Sequence, residues 1–228
     1  MLHSINKNKY IVYIFFFIIL STFNNLNLNK INTFNITDIE ITELNHINDD
    51  ILLERKLTED LNYLKNQNIF FINQNQLKTI LGKNEWLSNF SIKKEYPSKL
   101  VINYEKTKPI ANIVIDNEKF LIGSNYKLIK SDFKNPDLPN IFGKPKLKEF
   151  KRIIDLINIS RIKINNISDF YYFKSNRWNL KLKNDILIKL PEENVVNSLN
   201  LAWKILKSEK ILLKNNINLS VKNQIIVN

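Results

Sequence analysis

The sequence predicts an α+β chain: a single N-terminal apolar helix, then a β-α-α-β-β unit, then a mostly antiparallel β domain with flanking helices. Three observations carry that expectation. The run YIVYIFFFIILSTF fills residues 10–23, and no comparably apolar run follows it. Residues 86–111, WLSNFSIKKEYPSKLVINYEKTKPIA, read as a hairpin. Leu100, Ile102 and Tyr104 fall on one face of its second arm, Val101, Asn103 and Glu105 on the other. Beyond residue 108, short strand-like segments outnumber helical ones.

The apolar run follows Lys7 and Lys9, and the chain stays uncharged from Tyr10 to Asn29. A helix of about 20 residues spans a hydrocarbon core at about 1.5 Å per residue. No small-x-small cleavage pattern follows Leu20, so the run reads as an uncleaved anchor over residues 10–29, with Tyr10, Ile14, Phe16, Ile18 and Leu20 as anchor residues. Residues 1–9 then form a cytoplasmic tail. Lys7 and Lys9, set against Lys30, Asp38 and Glu40, orient the chain N-in and C-out.

The first domain is expected over residues 34–107. Its opening strand spans 36–42, where Ile39 and Ile41 alternate with Asp38, Glu40 and Thr42. A helix capped by Asp49 or Asp50 carries Leu53, Leu57, Leu61 and Leu64 on one stripe. A shorter helix follows the run Ile69 to Asn73. It has Asn73 or Asn75 as its cap, Leu77, Ile80 and Leu81 as its stripe, and Gly82 as its stop. The hairpin closes the unit, with Phe90 and Ile92 before the turn at Tyr96-Pro97-Ser98.

The second domain is expected over residues 108–228. Strands are read at 110–115, 118–122 and 127–129, followed by a break at Pro136 to Pro145. A helix over 146–157 presents Leu147, Phe150, Ile153, Ile154 and Ile157. Strands follow at 164–173, 178–183 and 185–190. Pro191-Glu192-Glu193 opens a further helix with Val196, Leu199, Ala202, Trp203 and Leu206 on its buried stripe. A last strand over 217–227 occupies an edge, since nothing follows to cover it.

Composition argues against chemistry. A net charge of +12 suggests an anionic partner, yet only four of the 34 basic residues are arginine and the chain is crowded with Asn, Ile and Lys. That pattern reads as codon drift rather than selection for phosphate contacts. Cysteine is absent, which removes disulfides and thiolate metal sites. His3 and His46 form no metal or catalytic pair, and three glycines are too few for a phosphate cradle. The acidic pairs Asp49-Asp50 and Glu192-Glu193 fall where helices begin. The aromatic run Phe170 to Phe173 beside Lys174 reads as a packed strand rather than a base-stacking platform. Trp86, Trp178 and Trp203 read as core. The chain is expected to be no enzyme, to hold no cofactor or metal, and to bind no nucleic acid.

The hairpin residues Trp86, Leu87, Ile92, Lys93, Lys94, Pro97, Leu100, Ile102, Glu105, Lys106, Pro109 and Ala111 resemble, in order and spacing, the end of the POTRA domain of the bacterial cell-division family FtsQ, called DivIB in Gram-positive bacteria. The second half resembles the β domain of the same family through Leu138-Pro139-x-Ile141-x-Gly143, Arg177-Trp178 with Leu180 and Leu182, and the stretch Ile186 to Pro191. Two departures stand out. Asn184-Asp185 occupies a turn where family members carry Gly after Asn, and Asn218-Leu219-Ser220 replaces an aspartate-x-arginine.

The resemblance implies a single-pass inner-membrane protein at the division septum, with its folded domains in the periplasm, that binds rather than catalyses. It implies that the POTRA part serves recruitment, that the β domain binds FtsB and FtsL, and that contacts extend to FtsK and to FtsW and FtsI. Strand addition would be the physical means, with Leu219, Val221, Lys222, Ile225 and Ile226 on the last strand as partner-binding residues. Two other readings stay open: an exported or membrane-tethered POTRA-like module for extended polypeptides, and a basic nucleic-acid-binding protein whose residues 10–23 are a buried segment.

Overall fold

The computed structural model describes residues 7–22, 32–45, 51–208, 215–221 and 224–227. Helix α1 (Lys7–Thr22) has 16 residues, about 24 Å of helix against a hydrocarbon core of about 30 Å. Among the described residues no helix is long and apolar enough to cross a membrane. The expected anchor over 10–29 is thus seen only as far as Thr22, and residues 23–29 lie outside the described residues. Tyr10, Ile14, Phe16, Ile18 and Leu20 are all exposed on α1.

The chain divides into two compact units, Met1–Leu81 with Asn89–Glu105, and Gly82–Ser88 with Lys106–Asn228. The first is built on β1 (Asp38–Glu43), α2 (Ile51–Leu61), α3 (Gln74–Lys83), β2 (Leu87–Glu95) and β3 (Lys99–Lys106). This is the expected β-α-α-β-β order. The strands pair as β1-β3-β2. β1 runs parallel to β3, placing Ile39 beside Leu100 and Ile41 beside Ile102. A parallel pair cannot be closed by a hairpin, and the two helices supply the crossover between them.

Side-chain spacing explains the packing. Leu53, Leu57 and Leu61 of α2, with Leu64 from the 3-10 turn Asn62–Leu64, are each at most 5% exposed. Leu77 and Leu81 of α3 are buried, and so are Leu100, Ile102 and Tyr104 of β3. Asn73 caps α3, its Oδ1 accepting from the N–H groups of Asn75 at 3.0 Å and Gln76 at 3.3 Å. Gly82 does not stop the helix. It lies inside α3 and is not left-handed. The turn comes one residue after the helix, where Asn84 Oδ1 accepts from the Trp86 N–H at 2.9 Å. Asp49 and Asp50 lie outside the described residues.

The second unit is one mixed sheet with two helices. Its elements are β4 (Pro109–Ile115), β5 (Glu118–Gly123), β6 (Leu128–Lys130), β7 (Asn140–Phe142), α4 (Leu147–Ile159), β8 (Ile167–Tyr172), β9 (Trp178–Leu182), β10 (Leu187–Lys189), α5 (Val195–Lys207), β11 (Asn216–Asn218) and β12 (Ile226–Val227). The described strands run β12-β11-β10-β9-β8-β7-β4-β5-β6. Five of the pairings are antiparallel, and β4 with β7, β7 with β8, and β10 with β11 are parallel.

The pleat sorts the side chains into rows. Ile141, Phe170, Leu180, Ile188 and Ile217 lie opposite one another on consecutive strands, and each is at most 5% exposed. Phe150, Ile153, Ile154 and Ile157 of α4, with Leu199 and Ala202 of α5, join the same core. Phe150, Phe170 and Trp178 meet in tilted and edge-on ring contacts with centroids 5.5–6.3 Å apart. A bulge at Ser168, whose Oγ donates to Asp169 Oδ2 at 3.0 Å, lets both Ile167 and Phe170 face inward.

Three expectations are corrected. β7 lies inside the segment read as a break, and its placement depends on the buried Asn112. Asn112 Nδ2 donates to the carbonyls of Asn135 at 2.8 Å and Leu138 at 2.9 Å, and its Oδ1 accepts from the Asn135 N–H at 2.8 Å. Its own N–H donates to Pro139 O at 2.8 Å. Helix α5 starts at Val195 rather than at Pro191, because Asn194 just before it is left-handed, with φ of 56°. The expected strand over 217–227 is two strands, β11 and β12.

Two substitutions test this frame. Asn112→Ala strands three half-buried backbone groups of Asn135 and Leu138 and should cost about 2 kcal/mol, given roughly 1–3 kcal/mol for an unsatisfied buried polar group. Gly143 sits at φ +94° with the Tyr172 carbonyl 2.5 Å from where a Cβ would be, so Gly143→Ala should cost about 2 kcal/mol or more. Denaturant midpoints measured at constant m-value check both.

Candidate functional site

A sheet edge offers unpaired N–H and C=O groups, and charged side chains on an edge strand discourage another chain from using them. The edges here differ in that respect. β1 carries Asp38, Glu40 and Glu43, with Lys99 bonded to Glu40 and 3.9 Å from Asp38. β2 carries Lys93, Lys94 and Glu95, and Lys93 pairs with Glu95 at 2.8 Å, which holds the Glu95 carboxyl below its ordinary range. β6 ends on Lys130, paired with Glu118 at 2.7 Å. β12, Ile226-Val227, carries no charge.

β12 is two residues long and lies antiparallel on β11, with Ile217 opposite Val227 and Asn218 opposite Ile226. β11 is therefore interior, held on its other side by β10. The expected site residues separate accordingly. Leu219 is 6% exposed and belongs to the core, its N–H donating to Lys189 O at 2.9 Å. Val221 is 42%, Ile225 52% and Ile226 38% exposed. Lys222 lies outside the described residues.

The register also assembles a row that no linear reading reveals. Phe142, Tyr171, Asn179, Lys189, Asn218 and Ile226 lie opposite one another across six consecutive strands, one pleat over from the core row. Phe142 and Tyr171 stack with centroids 5.0 Å apart. The row ends at the uncharged edge. Hydrophobic alternation identifies each strand but not which strands are neighbours, so only the pairing exposes the row.

The two sequence departures acquire physical roles. Asp185 adopts φ +65°, a left-handed backbone that glycine accepts more readily. Lys181 Nζ pairs with its carboxylate at 2.8 Å, which raises the pKa of the lysine. At Asn218-Leu219-Ser220, Asn218 Oδ1 accepts from the Ser220 N–H at 3.0 Å and from its Oγ at 2.7 Å. This Asx turn ends β11 and redirects the chain toward β12.

Of the tryptophans, Trp178 is in the core, while Trp86 and Trp203 are half-buried. Lys106 lies over the Trp86 ring at 5.1 Å, and Arg161 and Lys207 lie over the Trp203 ring at 4.9 and 4.4 Å. Among the described residues no group of three or more His, Cys, Asp or Glu is placed to hold a metal ion.

Residues 34–105 match the family POTRA domain, FtsQ-type, and residues 111–221 match the family Cell division protein FtsQ/DivIB, C-terminal. The chain belongs to the FtsQ/DivIB family of cell division proteins. It is 26% identical over 191 residues to the cell division protein FtsQ of Rickettsia bellii (strain RML369-C), an alignment covering 80% of this chain and 72% of that one. With FtsQ of Rickettsia felis (strain ATCC VR-1525 / URRWXCal2) it shares 26% identity over 71% of this chain and 61% of the other. With DivIB of Clostridium tetani (strain Massachusetts / E88) it shares 25% identity over 76% of this chain and 70% of the other. The FtsQ/DivIB C-terminal match takes in β4 through β11 and ends at Val221, before β12.

Asp185→Gly should raise stability by about 0.5 kcal/mol. Relief of the left-handed backbone outweighs loss of an exposed ion pair with Lys181, and thermal unfolding of the two forms measures the difference.

Proposed function

We propose that this chain is a non-enzymatic, single-pass scaffold of the bacterial division machinery. Residues 1–9 lie in the cytoplasm, residues 10–29 anchor the chain in the inner membrane, and both units lie in the periplasm at the septum. Its partners are division proteins resembling FtsB and FtsL, with contacts extending to FtsK and to FtsW and FtsI. Through its POTRA and β domains it links early and late division proteins.

The observation that carries this reading is the uncharged edge β12, flanked by exposed Val221, Ile225 and Ile226, at the end of a sheet whose other edge, β6, bears Lys130. An extended partner segment completes the ladder there with main-chain hydrogen bonds. Ile225 and Ile226 set the side-chain fit, and Lys222 adds attraction if the partner is acidic. Main-chain pairing is indifferent to most side-chain change, so it survives replacement of the family's aspartate and arginine by Asn218 and Ser220. The membrane assignment rests on α1, where Tyr10, Ile14, Phe16, Ile18 and Leu20 are all more than half exposed.

Neighbouring N–H groups of an antiparallel edge strand alternate between the inner ladder and the outside. Of Ile226→Pro and Val227→Pro, one should weaken binding to the FtsB-like partner of its own host at least tenfold, about 1.4 kcal/mol, without changing the unfolding midpoint. The other should lower the midpoint as well. Unchanged partner affinity in both would sink the edge assignment.

A further inference from the structure

Within the first unit, the run Ile69-Phe70-Phe71-Ile72 does something its hydrophobicity does not require. Ile69 and Ile72 are buried, while Phe70 and Phe71 are 50% and 62% exposed. The turn is fixed from both sides. Asn68 Oδ1 accepts from the Phe70 N–H at 3.0 Å. Lys94 Nζ donates to the carbonyls of Phe70 at 3.5 Å and Ile72 at 3.2 Å. Phe70 is sandwiched between two other rings, Phe34 and Tyr96, each with its centroid 5.0 Å away, and Tyr96 is itself 59% exposed. Phe34, Phe70 and Tyr96, from three separate chain segments, thus form one ring cluster, with the exposed Phe71 next to it in the chain.

The chain around the patch says what covers it. Phe34 follows α1 by only twelve residues, so the patch cannot stray more than about 40 Å from the end of that helix, at roughly 3.3–3.6 Å per residue. Residues 23–31, FNNLNLNKI, contain a single charge, Lys30. Of the nearby charges on the hairpin, Lys93 is matched by Glu95 and Lys99 by Glu40, while the Lys94 ammonium is bonded to the Phe70 and Ile72 carbonyls of the turn itself. Aromatic rings held at an apolar-polar boundary beside a lysine suit the headgroup level of a bilayer.

We propose that the patch formed by Phe34, Phe70, Phe71 and Tyr96 rests on the outer surface of the membrane that α1 enters, docking the first unit against lipid headgroups. This rests on the anchor reading given above. Contact is apolar rather than electrostatic, so it holds on zwitterionic as well as anionic lipid.

The native chain lacks cysteine, so a single introduced nitroxide label is unambiguous. The full chain is reconstituted in phosphatidylcholine vesicles, and separately in phosphatidylglycerol vesicles, with the label at Gln74→Cys, an exposed polar position three residues beyond Phe71. A second preparation carries it at Phe16→Cys. Accessibility of each label to oxygen and to a water-soluble nickel chelate reads its depth. The expected result is deep immersion at position 16 and headgroup-level immersion at position 74 in both lipids, the latter lost on adding Phe70→Ser and Phe71→Ser. Immersion at 16 with a water-exposed label at 74 overturns the proposal, leaves the anchor reading intact and assigns the patch to a protein partner. A water-exposed label at 16 overturns both. Immersion at 74 confined to phosphatidylglycerol overturns the apolar mode of contact.

Discussion

The second unit depends on three residues finding a parallel slot. β4, β5 and β6 form one group and β8 to β12 the other, and among the described strands they are joined only through β7, which pairs parallel with both β4 and β8. A strand of three residues contributes few ladder bonds, so its position has to be fixed from outside. Asn112 does this by spending its whole amide on the loop that leads into β7, and Gly143 lets the chain leave against the Tyr172 carbonyl. A polar side chain buried on β4 thereby determines that both halves share a sheet and that the core row of Ile141, Phe170, Leu180, Ile188 and Ile217 is continuous. The polar contact both stabilises this arrangement and selects one pairing over others of similar apolar burial.

Much of this was legible in the sequence, for a reason that also marks the limit. The stripes Leu53, Leu57, Leu61 and Phe150, Ile153, Ile154, Ile157 are local periodicities, and burial follows wherever they pack. The hairpin arm 99–106 announces its buried face through strict alternation. β7 is different: three residues among prolines carry no period, and only the contacts of Asn112, more than twenty residues upstream, make them a strand. The parallel pairing of β1 with β3 and the outer row ending at Ile226 are likewise relations between distant segments.

The candidate edge shows the same division on a smaller scale. A strand over 217–227 would have placed Leu219 beside Val221 on the exposed edge. The Asx turn at Asn218 and Ser220 breaks it, so Leu219 turns into the core while Val221, Ile225 and Ile226 remain outside. This chain closes the turn with two neutral hydrogen bonds. A charge pair at this point could also contact a partner directly, but an amide satisfied within its own turn is committed to shaping the chain. On the edge reading proposed above, recognition at β12 would fall to the backbone and to a few aliphatic side chains, the components least sensitive to the sequence divergence that separates this chain from relatives at about 26% identity.

Among the described residues, large apolar side chains are exposed along α1, around Phe70 and Phe71, and around Ile225 and Ile226, as well as at single positions such as Phe133 and Ile159. Burying one large apolar side chain is worth about 1.5–3 kcal/mol, while a whole domain is stable by only about 5–15 kcal/mol. Leaving several such groups in water therefore forgoes a sizeable fraction of the available stability. At Phe70 the rings stack and the backbone is pinned at both ends, and at Ile226 the exposure coincides with an edge strand free of charge. Such arrangements are expected where the missing burial is completed by something other than water, an acyl chain for α1, a lipid headgroup layer for the patch, and an extended polypeptide for the edge. The scaffold role proposed above would act through surfaces of this kind.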